Sequence, residues 1–204
     1  ISTIGYAKSA DGVHFTGRRQ FIVPEHDWEK FGCEDPRVVR VGDRFFIFYT
    51  ALSKYPFEAD GIKVGLAITK DFKRIEEKHP VTTFNAKAMT MFPDKVDGKL
   101  AAILAVNTDR PPVRIARALF DKVEDVWSPA YWDEWYKTMG DDELFLQRGS
   151  RDHIEIGAPP VLTGDGWLLI YSEIRNYHSP HPQFTVQAVL LDRNELCQIV
   201  GRTE

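Results

Sequence analysis

Apolar and polar residues alternate with a period of two along most of the chain, and the helical period is scarce. The alternating segments are short, rich in β-branched and aromatic residues, and separated by turn pairs such as Gly42-Asp43, Asp97-Gly98 and Asp165-Gly166. This pattern predicts an all-β fold with strands over residues 37–41, 45–50, 63–69, 100–106, 113–119, 167–173, 184–190 and 198–200.

A single helix is predicted over residues 129–139. Ser128 would cap its first turn, Pro129 fits the first helical position, and Gly140 would end it. The aromatic residues on this helix either pack it onto the strands or offer a platform for the apolar face of a sugar ring. They are Tyr131, Trp132, Trp135 and Tyr136.

The chain also contains a repeat. Stretches that begin at Pro36, Pro93 and Pro160 share one pattern, which is a proline, a short strand, a Gly/Asp turn and an apolar strand. The prolines lie 57 and 67 residues apart. Each hairpin is followed by another strand ending in aspartate, and an incomplete earlier copy precedes them. These strands cover residues 65–71, 115–121 and 187–192, with the earlier copy at 5–11.

Units of strands that recur every roughly 50–70 residues indicate β-propeller blades, with a period near the upper end for such repeats. The chain would supply about three blades and part of another, whereas a closed ring needs at least about four. We therefore predict one propeller domain over residues 1–204 that lacks the first and last blades. A β-sandwich is the alternative, but unrelated sandwich strands would not repeat the spacing from proline to glycine.

Composition and short motifs exclude several classes of partner and cofactor. The 26 basic and 30 acidic residues give a net charge of −4, which argues against nucleic acid and anionic membranes as partners. Cys33 and Cys197 form no C-x-x-C motif, which argues against a zinc site and fits a reducing, cytoplasmic location. No phosphate-loop or dinucleotide motif occurs, so no organic cofactor is predicted. Because the chain opens with Ile1, we expect the natural N-terminus to lie upstream.

The first strand of a propeller blade borders the central channel, so the residues at its start are the candidates for chemistry. In the first full blade these are Glu34, Asp35 and Arg37. Because strand side chains alternate in direction, only one of the two carboxylates is expected to face the channel, with Arg37 on the side of Asp35. The plainer interpretation is a turn with a surface ion pair.

The same positions in the next two blades supply Lys87, His153 and Glu155. The ends of the second strands add polar groups that repetition of the blade would bring to the same face. These are Asn107, Asp109, Arg110, Glu173 and Arg175, followed by Tyr177. Carboxylates combined with aromatic rings suit a sugar site, although each such residue is by itself more often structural or solvated.

Three segments resemble signature stretches of glycoside hydrolase family 130. They are GCEDPRV at 32–38, MFPDKVDGK at 91–99, and the region 157–171 that begins GAPPV and ends GWLLIY. The resemblance covers nearly the whole chain and implies a five-bladed propeller. It also implies activity as a mannoside phosphorylase or β-mannosidase that inverts the anomeric carbon. Asp35 would be the catalytic acid, acting through a sugar hydroxyl, and Lys87 falls near a lysine of the family's site.

Two stretches depart from the family pattern. The His-Arg pair that phosphorylases carry at the phosphate site is absent from residues 105–110, which read AVNTDR, so that Arg110 substitutes only in part. The family's Tyr-His-Gly reads Tyr171-Ser172-Glu173. These departures bear on how phosphate would bind.

The favoured function is phosphorolysis of β-mannosides with inorganic phosphate as co-substrate and with no metal. An oligosaccharide is the expected partner, and a homo-oligomer is allowed. The first alternative is inverting hydrolysis with Glu155 as base and Glu173 in reserve. The others are a non-catalytic carbohydrate-binding propeller and a five-bladed furanosidase with three carboxylates. Cations for phosphate would come from Lys87, Arg110, Arg151 and Arg175. Substrate contacts are expected at Glu34, Arg37, Lys87, Asn107, Arg110, His153, Glu173 and Tyr177.

Overall fold

In the part of the chain that the structure describes, strands dominate and form four separate antiparallel sheets. The computed structural model describes residues 1–110, 112–147, 149, 152–177 and 179–203. The first sheet is a hairpin of β1 (Ile4–Ser9) and β2 (Phe15–Ile22). The second is a meander of β3 (Gly32–Val41), β4 (Arg44–Leu52), β5 (Ile62–Thr69) and β6 (Glu77–Pro80).

The other two sheets follow in chain order. The third contains β7 (Ala86–Met91), β8 (Leu100–Val106) and β9 (Arg114–Phe120). The fourth contains β10 (His153–Ile156), β11 (Val161–Leu162), β12 (Trp167–Arg175), β13 (Gln183–Leu191) and β14 (Ile199–Arg202). Within the described ranges no sheet closes on itself. The all-β class is confirmed, and each sequence repeat forms its own sheet, as propeller blades do.

Each predicted strand overlaps an observed one, but the number of strands in two sheets was wrong. The incomplete first copy, β1, pairs with β2 and agrees with the expected part of a blade. The fourth sheet has five strands where four were expected, because β10 and β11 both pair with β12. The third sheet has three strands where four were expected. The short strand expected after Pro93 is reduced to a bridge between Val96 and Lys99. This bridge closes a tight turn with positive φ at Asp97 and Gly98, which leaves no length for a strand.

The third sheet ends after β9 because the chain turns there into a 3₁₀ segment, Val123–Trp127, and then into α1 (Pro129–Thr138). Ser128 caps α1 as predicted, and its hydroxyl accepts a bond from the Tyr131 amide at 3.4 Å. The indoles of Trp132 and Trp135 are buried and donate to backbone carbonyls. These aromatic residues therefore pack the helix onto the sheet, whereas Tyr136 keeps 38% of its surface exposed.

The core shows that the sheets pack against one another in chain order. Alternate residues of β8 point to opposite sides, as the period of two requires. Ala102, Leu104 and Val106 join the core shared with the second sheet and α1. Ala101, Ile103 and Ala105 join the core shared with the fourth sheet. A third core joins the first and second sheets. As a result β7 contacts both β3 and β10, which brings together the strands that carry the candidate residues.

No helix in the described part of the chain has the length and apolar character needed to cross a membrane.

Candidate active site

A β-bulge interrupts β3 where the candidate carboxylates lie. Pairing with β4 passes from Glu34 to Arg37 and leaves Asp35 and Pro36 without cross-strand partners. Asp35 is in the left-handed region, with φ of 53°, which aspartate tolerates better than most residues. The bulge breaks the strict alternation of side chains, so the expected shared direction of Asp35 and Arg37 does not follow from their spacing.

The bulge presents Asp35 at the surface of a cavity of ≈ 420 Å³. Asp35 is exposed, and the cavity wall is formed by the β3 bulge and by the segment that follows β10. The lining residues are Asp35, Pro36, Arg37, Val38, Gly157, Ala158 and Pro159. Glu34 does not line this cavity, and its carboxylate accepts a bond from the Ser2 hydroxyl at 2.5 Å, which joins β3 to the N-terminal segment.

Arg37 reaches from β3 across to β10. Its Nε donates to the carbonyls of Ile156 and Gly157 at 2.9 and 3.0 Å, and its Nη2 donates to Ile156 at 2.5 Å. Its Nη1 donates to the carbonyl of Asp35 at 2.8 Å. Burial lowers the pKa of Arg37, while the charges of Asp35 and Glu155 act in the opposite direction. The guanidinium therefore binds backbone oxygens on both strands.

Lys87, His153, Glu155 and Tyr177 form a second group, which we call the Lys87–Glu155 cluster. The ammonium of Lys87 pairs with Oε1 of Glu155, and Nε2 of His153 lies 3.2 Å from the same oxygen. The ring of Tyr177 stacks on His153, with centroids 3.9 Å apart and planes at 5°. The hydroxyl of Tyr177 lies 3.4 Å from Nζ of Lys87. The structure thus brings together four of the predicted site residues.

The electrostatics of this cluster favour its charged form. Burial opposes ionisation of Glu155, but the hydrogen bond with His153 and the charge of Lys87 outweigh it and lower the pKa of Glu155 to about 2. Burial also opposes the charge on Lys87, yet Glu155 raises its pKa above the ordinary value. At neutral pH the pair is a carboxylate and an ammonium ion that are held together.

Glu173 and Arg175 lie behind this cluster. Glu173 is fully buried on β12, where it pairs across the sheet with Ile154 of β10. Nη2 of Arg175 lies 3.9 Å from the Glu173 carboxylate. Neither residue lines the cavity at Asp35. Arg151, the remaining predicted phosphate ligand, lies outside the described residues.

Asn107 and Arg110 line a different cavity, of ≈ 250 Å³, at the end of β8. Oδ1 of Asn107 accepts a bond from the Tyr136 hydroxyl at 3.0 Å, and Arg110 is highly exposed beside Asp109. Sequence reasoning missed Lys63 and Asn85 in this cavity, whereas Tyr136 belongs to the helix aromatics that it offered as a sugar platform. The repeat offers a signal for Asn85, because it directly precedes β7 and lies two residues before Lys87.

In the described part of the chain, one group of side chains has ligand atoms close enough to hold a metal ion, and it comprises Glu25, His26 and Glu29. Glu29 is fully buried and already accepts bonds from Lys78 at 2.7 Å and from Tyr49 at 2.6 Å. Because a lysine ammonium already neutralises this carboxylate, we assign Glu29 to the packing of the first two sheets.

Comparisons with known proteins give matches along the whole chain. A family model described as beta-1,4-mannooligosaccharide phosphorylase matches residues 1–204. A beta-1,2-mannobiose phosphorylase from Listeria innocua is 29% identical over 209 residues, which is 100% of this chain and 53% of that protein. A 1,2-beta-oligomannan phosphorylase from Thermoanaerobacter is 28% identical and matches 99% of this chain and 62% of its own length.

A solved structure is also similar. The complex of beta-1,2-mannobiose phosphorylase from Listeria innocua with beta-1,2-mannobiose superimposes with a TM-score of 0.77 at 27% identity. The match covers 98% of this chain and 52% of that structure. The chain therefore spans little more than half the length of these relatives.

Proposed function

The chain belongs to the glycoside hydrolase 130 family, and on that basis we propose that the whole protein cleaves β-mannosides by phosphorolysis with inversion. Asp35 is the general acid. Phosphate attacks the anomeric carbon from the face opposite the leaving group, and the glycosidic C–O bond breaks. The proton of Asp35 reaches the leaving oxygen through a sugar hydroxyl. The products are a mannose 1-phosphate of inverted configuration and a sugar shortened by one unit.

The observation that supports phosphorolysis over hydrolysis is the state of Glu155. An inverting hydrolase needs a carboxylate that accepts a proton from water, and a base works best when its pKa lies near the working pH. Glu155 has a pKa of about 2 and is paired with Lys87 and His153, so it is a weak base. Phosphate is already an anion and needs no base for its attack.

The cationic groups near the cavities provide candidate phosphate ligands. Phosphate requires several convergent donors, preferably charged ones. Lys63 and Arg110 both line the cavity that also contains Asn85, which directly precedes β7 and lies two residues before Lys87. We propose that these side chains replace the missing His-Arg pair.

Inverting hydrolysis remains the second candidate because residues 107–110 read NTDR, without that pair. In that case water would be the nucleophile and Glu155 or Glu173 the base. The two relatives described above are named for β-1,2 linkages, whereas the family model is named for β-1,4 linkages, so we propose β-1,2-mannosides first.

The test is a panel of β-1,2- and β-1,4-mannobiose and longer oligomers, assayed on the whole protein with and without inorganic phosphate. We expect cleavage only with phosphate, with release of mannose 1-phosphate. Full-rate cleavage without phosphate that Glu155→Gln stops would replace phosphorolysis by hydrolysis. Cleavage of arabinofuranosides alone would indicate a furanosidase, and binding without turnover would indicate a carbohydrate-binding propeller.

A further inference from the structure

Arg37 was expected to contact substrate, but its hydrogen bonds go to the backbone. Nε and Nη2 donate to the carbonyl of Ile156, Nε also donates to Gly157, and Nη1 donates to Asp35, all between 2.5 and 3.0 Å. These bonds engage all three guanidinium nitrogens. They use three of the five N–H donors of the guanidinium, so most of the donor capacity of Arg37 is directed to the backbone.

The partners of Arg37 lie on the two strands that carry the candidate carboxylates. Ile156 directly follows Glu155 at the end of β10, and Asp35 is the left-handed residue of the β3 bulge. The β3 bulge and the segment that follows β10 both line the ≈ 420 Å³ cavity. A single side chain therefore joins the backbone that presents Asp35 to the other segment of the cavity wall.

The conformation at Asp35 needs such support. A residue other than glycine in the left-handed region is strained, and strained residues persist where their surroundings over-determine them. Asp35 and Pro36 have no ladder partners on β4, so the cross-strand bonds that hold the rest of β3 are missing at this point. The bond from Nη1 of Arg37 to the Asp35 carbonyl fixes the peptide at this bulge.

We propose that Arg37 is a positioning residue that sets the location of the Asp35 carboxylate relative to β10. This inference rests on the proposed function, in which Asp35 is the acid. The planar fork of arginine matters here, because it binds at once the carbonyl of Ile156 at the end of β10, that of Gly157 just after it, and that of Asp35 in β3. Lysine carries the same charge as a single point and reproduces only part of this pattern.

The test uses the whole protein with a β-mannoside and phosphate, and compares Arg37→Lys and Arg37→Ala with Arg40→Lys. Arg40 lies on the same strand, is exposed, and donates only to the nearby carbonyl of Gly42 among the hydrogen bonds of the described residues. We expect kcat to fall about 10- to 100-fold in Arg37→Lys and further in Arg37→Ala, with KM nearly unchanged. A misplaced catalytic group slows the reaction but leaves the binding of substrate in the ground state intact. Added guanidinium should restore part of kcat to Arg37→Ala. Arg40→Lys should behave like the wild type.

Each other outcome overturns the proposal. A rise in KM at constant kcat would make Arg37 a substrate ligand, and a full rate in both variants would remove its role. If both variants unfold by circular dichroism, or if guanidinium restores nothing, the role of Arg37 is structural support of the fold alone. The proposed function fails separately, if the wild type shows no phosphate-dependent turnover or if Asp35→Asn retains full activity.

Discussion

The β3 and β7 strands contain the same irregularity and present different chemistry with it. In β3 the bulge lies between Glu34 and Arg37, and in β7 it lies between Lys87 and Thr90. In both strands the residue that follows the last paired position before the bulge is left-handed. It is Asp35 in β3 and Ala88 in β7, and both have a φ of 53°. The backbone of one repeat is therefore reproduced in the next, down to a strained residue.

The side chains at equivalent positions differ in kind. Asp35 is exposed at a cavity, whereas Ala88 is 4% exposed and belongs to a hydrophobic core. Arg37 binds β10, whereas its counterpart Thr90 is fully buried. Glu34 corresponds to Lys87, which forms the ion pair with Glu155. The comparison shows that the fold supplies the bulge and the individual sequence decides which bulge presents a carboxylate.

The largest effect is expected from Asp35→Asn. Asparagine also tolerates the left-handed conformation, so the bulge should survive while the acid is lost. We expect kcat on a β-mannoside with phosphate to fall by about 10²–10⁴-fold, which is the usual contribution of a general acid. Initial rates and calorimetric binding of the sugar would measure the loss and show that binding is retained.

Ala88→Gly is the matched variant at the other bulge. It changes the equivalent left-handed residue, relieves its strain and removes one buried methyl group, but it touches no acid. We expect it to leave kcat unchanged. Equal losses from both variants would mean that the bulges act only through the stability of the fold.

The next effect concerns acid stability and Glu155. The pKa of Glu155 is about 2, against an ordinary value of 4.5, so its stabilising effect is present above about pH 4.5 and is lost as the pH falls towards 2. The wild type should therefore lose up to roughly 3 kcal/mol more than Glu155→Gln over that range. Denaturant titrations at several pH values would measure this difference. It should shrink in a Lys87→Met background, since the charge of Lys87 is one of its causes.

A smaller effect is expected from breaking the Lys87–Glu155 pair at neutral pH. Removing one partner of a buried ion pair costs about 3–5 kcal/mol. Here the side chains are 14% and 25% exposed, and His153 still contacts Glu155, so we expect Lys87→Met to cost about 2 kcal/mol. The double variant Lys87→Met/Glu155→Gln should recover part of this loss, because no unpaired carboxylate remains.

The surface pair of Lys99 and Asp121 provides the control for this experiment. Its side chains are 47% and 80% exposed at a separation of 3.1 Å, so Lys99→Met should cost at most about 1 kcal/mol. Equal costs for Lys87→Met and Lys99→Met would show that the Lys87–Glu155 pair contributes no more than a surface pair.

Much of the fold was predictable because it depends on local patterns. The period of two, the turn pairs and the spacing of prolines located the strands and the separate sheets. The three-stranded third sheet was not predictable, because the segment that replaces its fourth strand is fixed by long-range packing. The indole of Trp135 in α1 donates to the carbonyl of Arg117 in β9, a contact that no periodicity reveals.

The sequence predicted several residues of the candidate site, but it did not predict how their side chains are arranged. The repeat indicated Lys87, Glu155 and Asp35, since each lies near the start of an inner strand. The role of Arg37 was not predictable, because a bulge changes side-chain direction and because the partners of Arg37 lie about 120 residues away on another sheet. Lys63 was missed since only the folded structure brings it beside Asn85.

The smallest effect is expected from removing the hydroxyl of Tyr177, a change that extends the comparison to a residue in contact with Lys87 of β7. Its hydroxyl lies at 3.4 Å from Nζ of Lys87, a long and therefore weak hydrogen bond, while its ring stacks on His153 at 3.9 Å. Tyr177→Phe keeps the ring, so the free energy of unfolding should change by less than about 0.5 kcal/mol. Tyr177→Ala removes the stacked ring and should cost about 0.5–1.5 kcal/mol beyond the lost apolar burial. Denaturant unfolding of both variants beside the wild type measures the two costs. A loss in Tyr177→Phe as large as in Tyr177→Ala would show that the hydroxyl, rather than the stacked ring, holds the Lys87–Glu155 cluster in place.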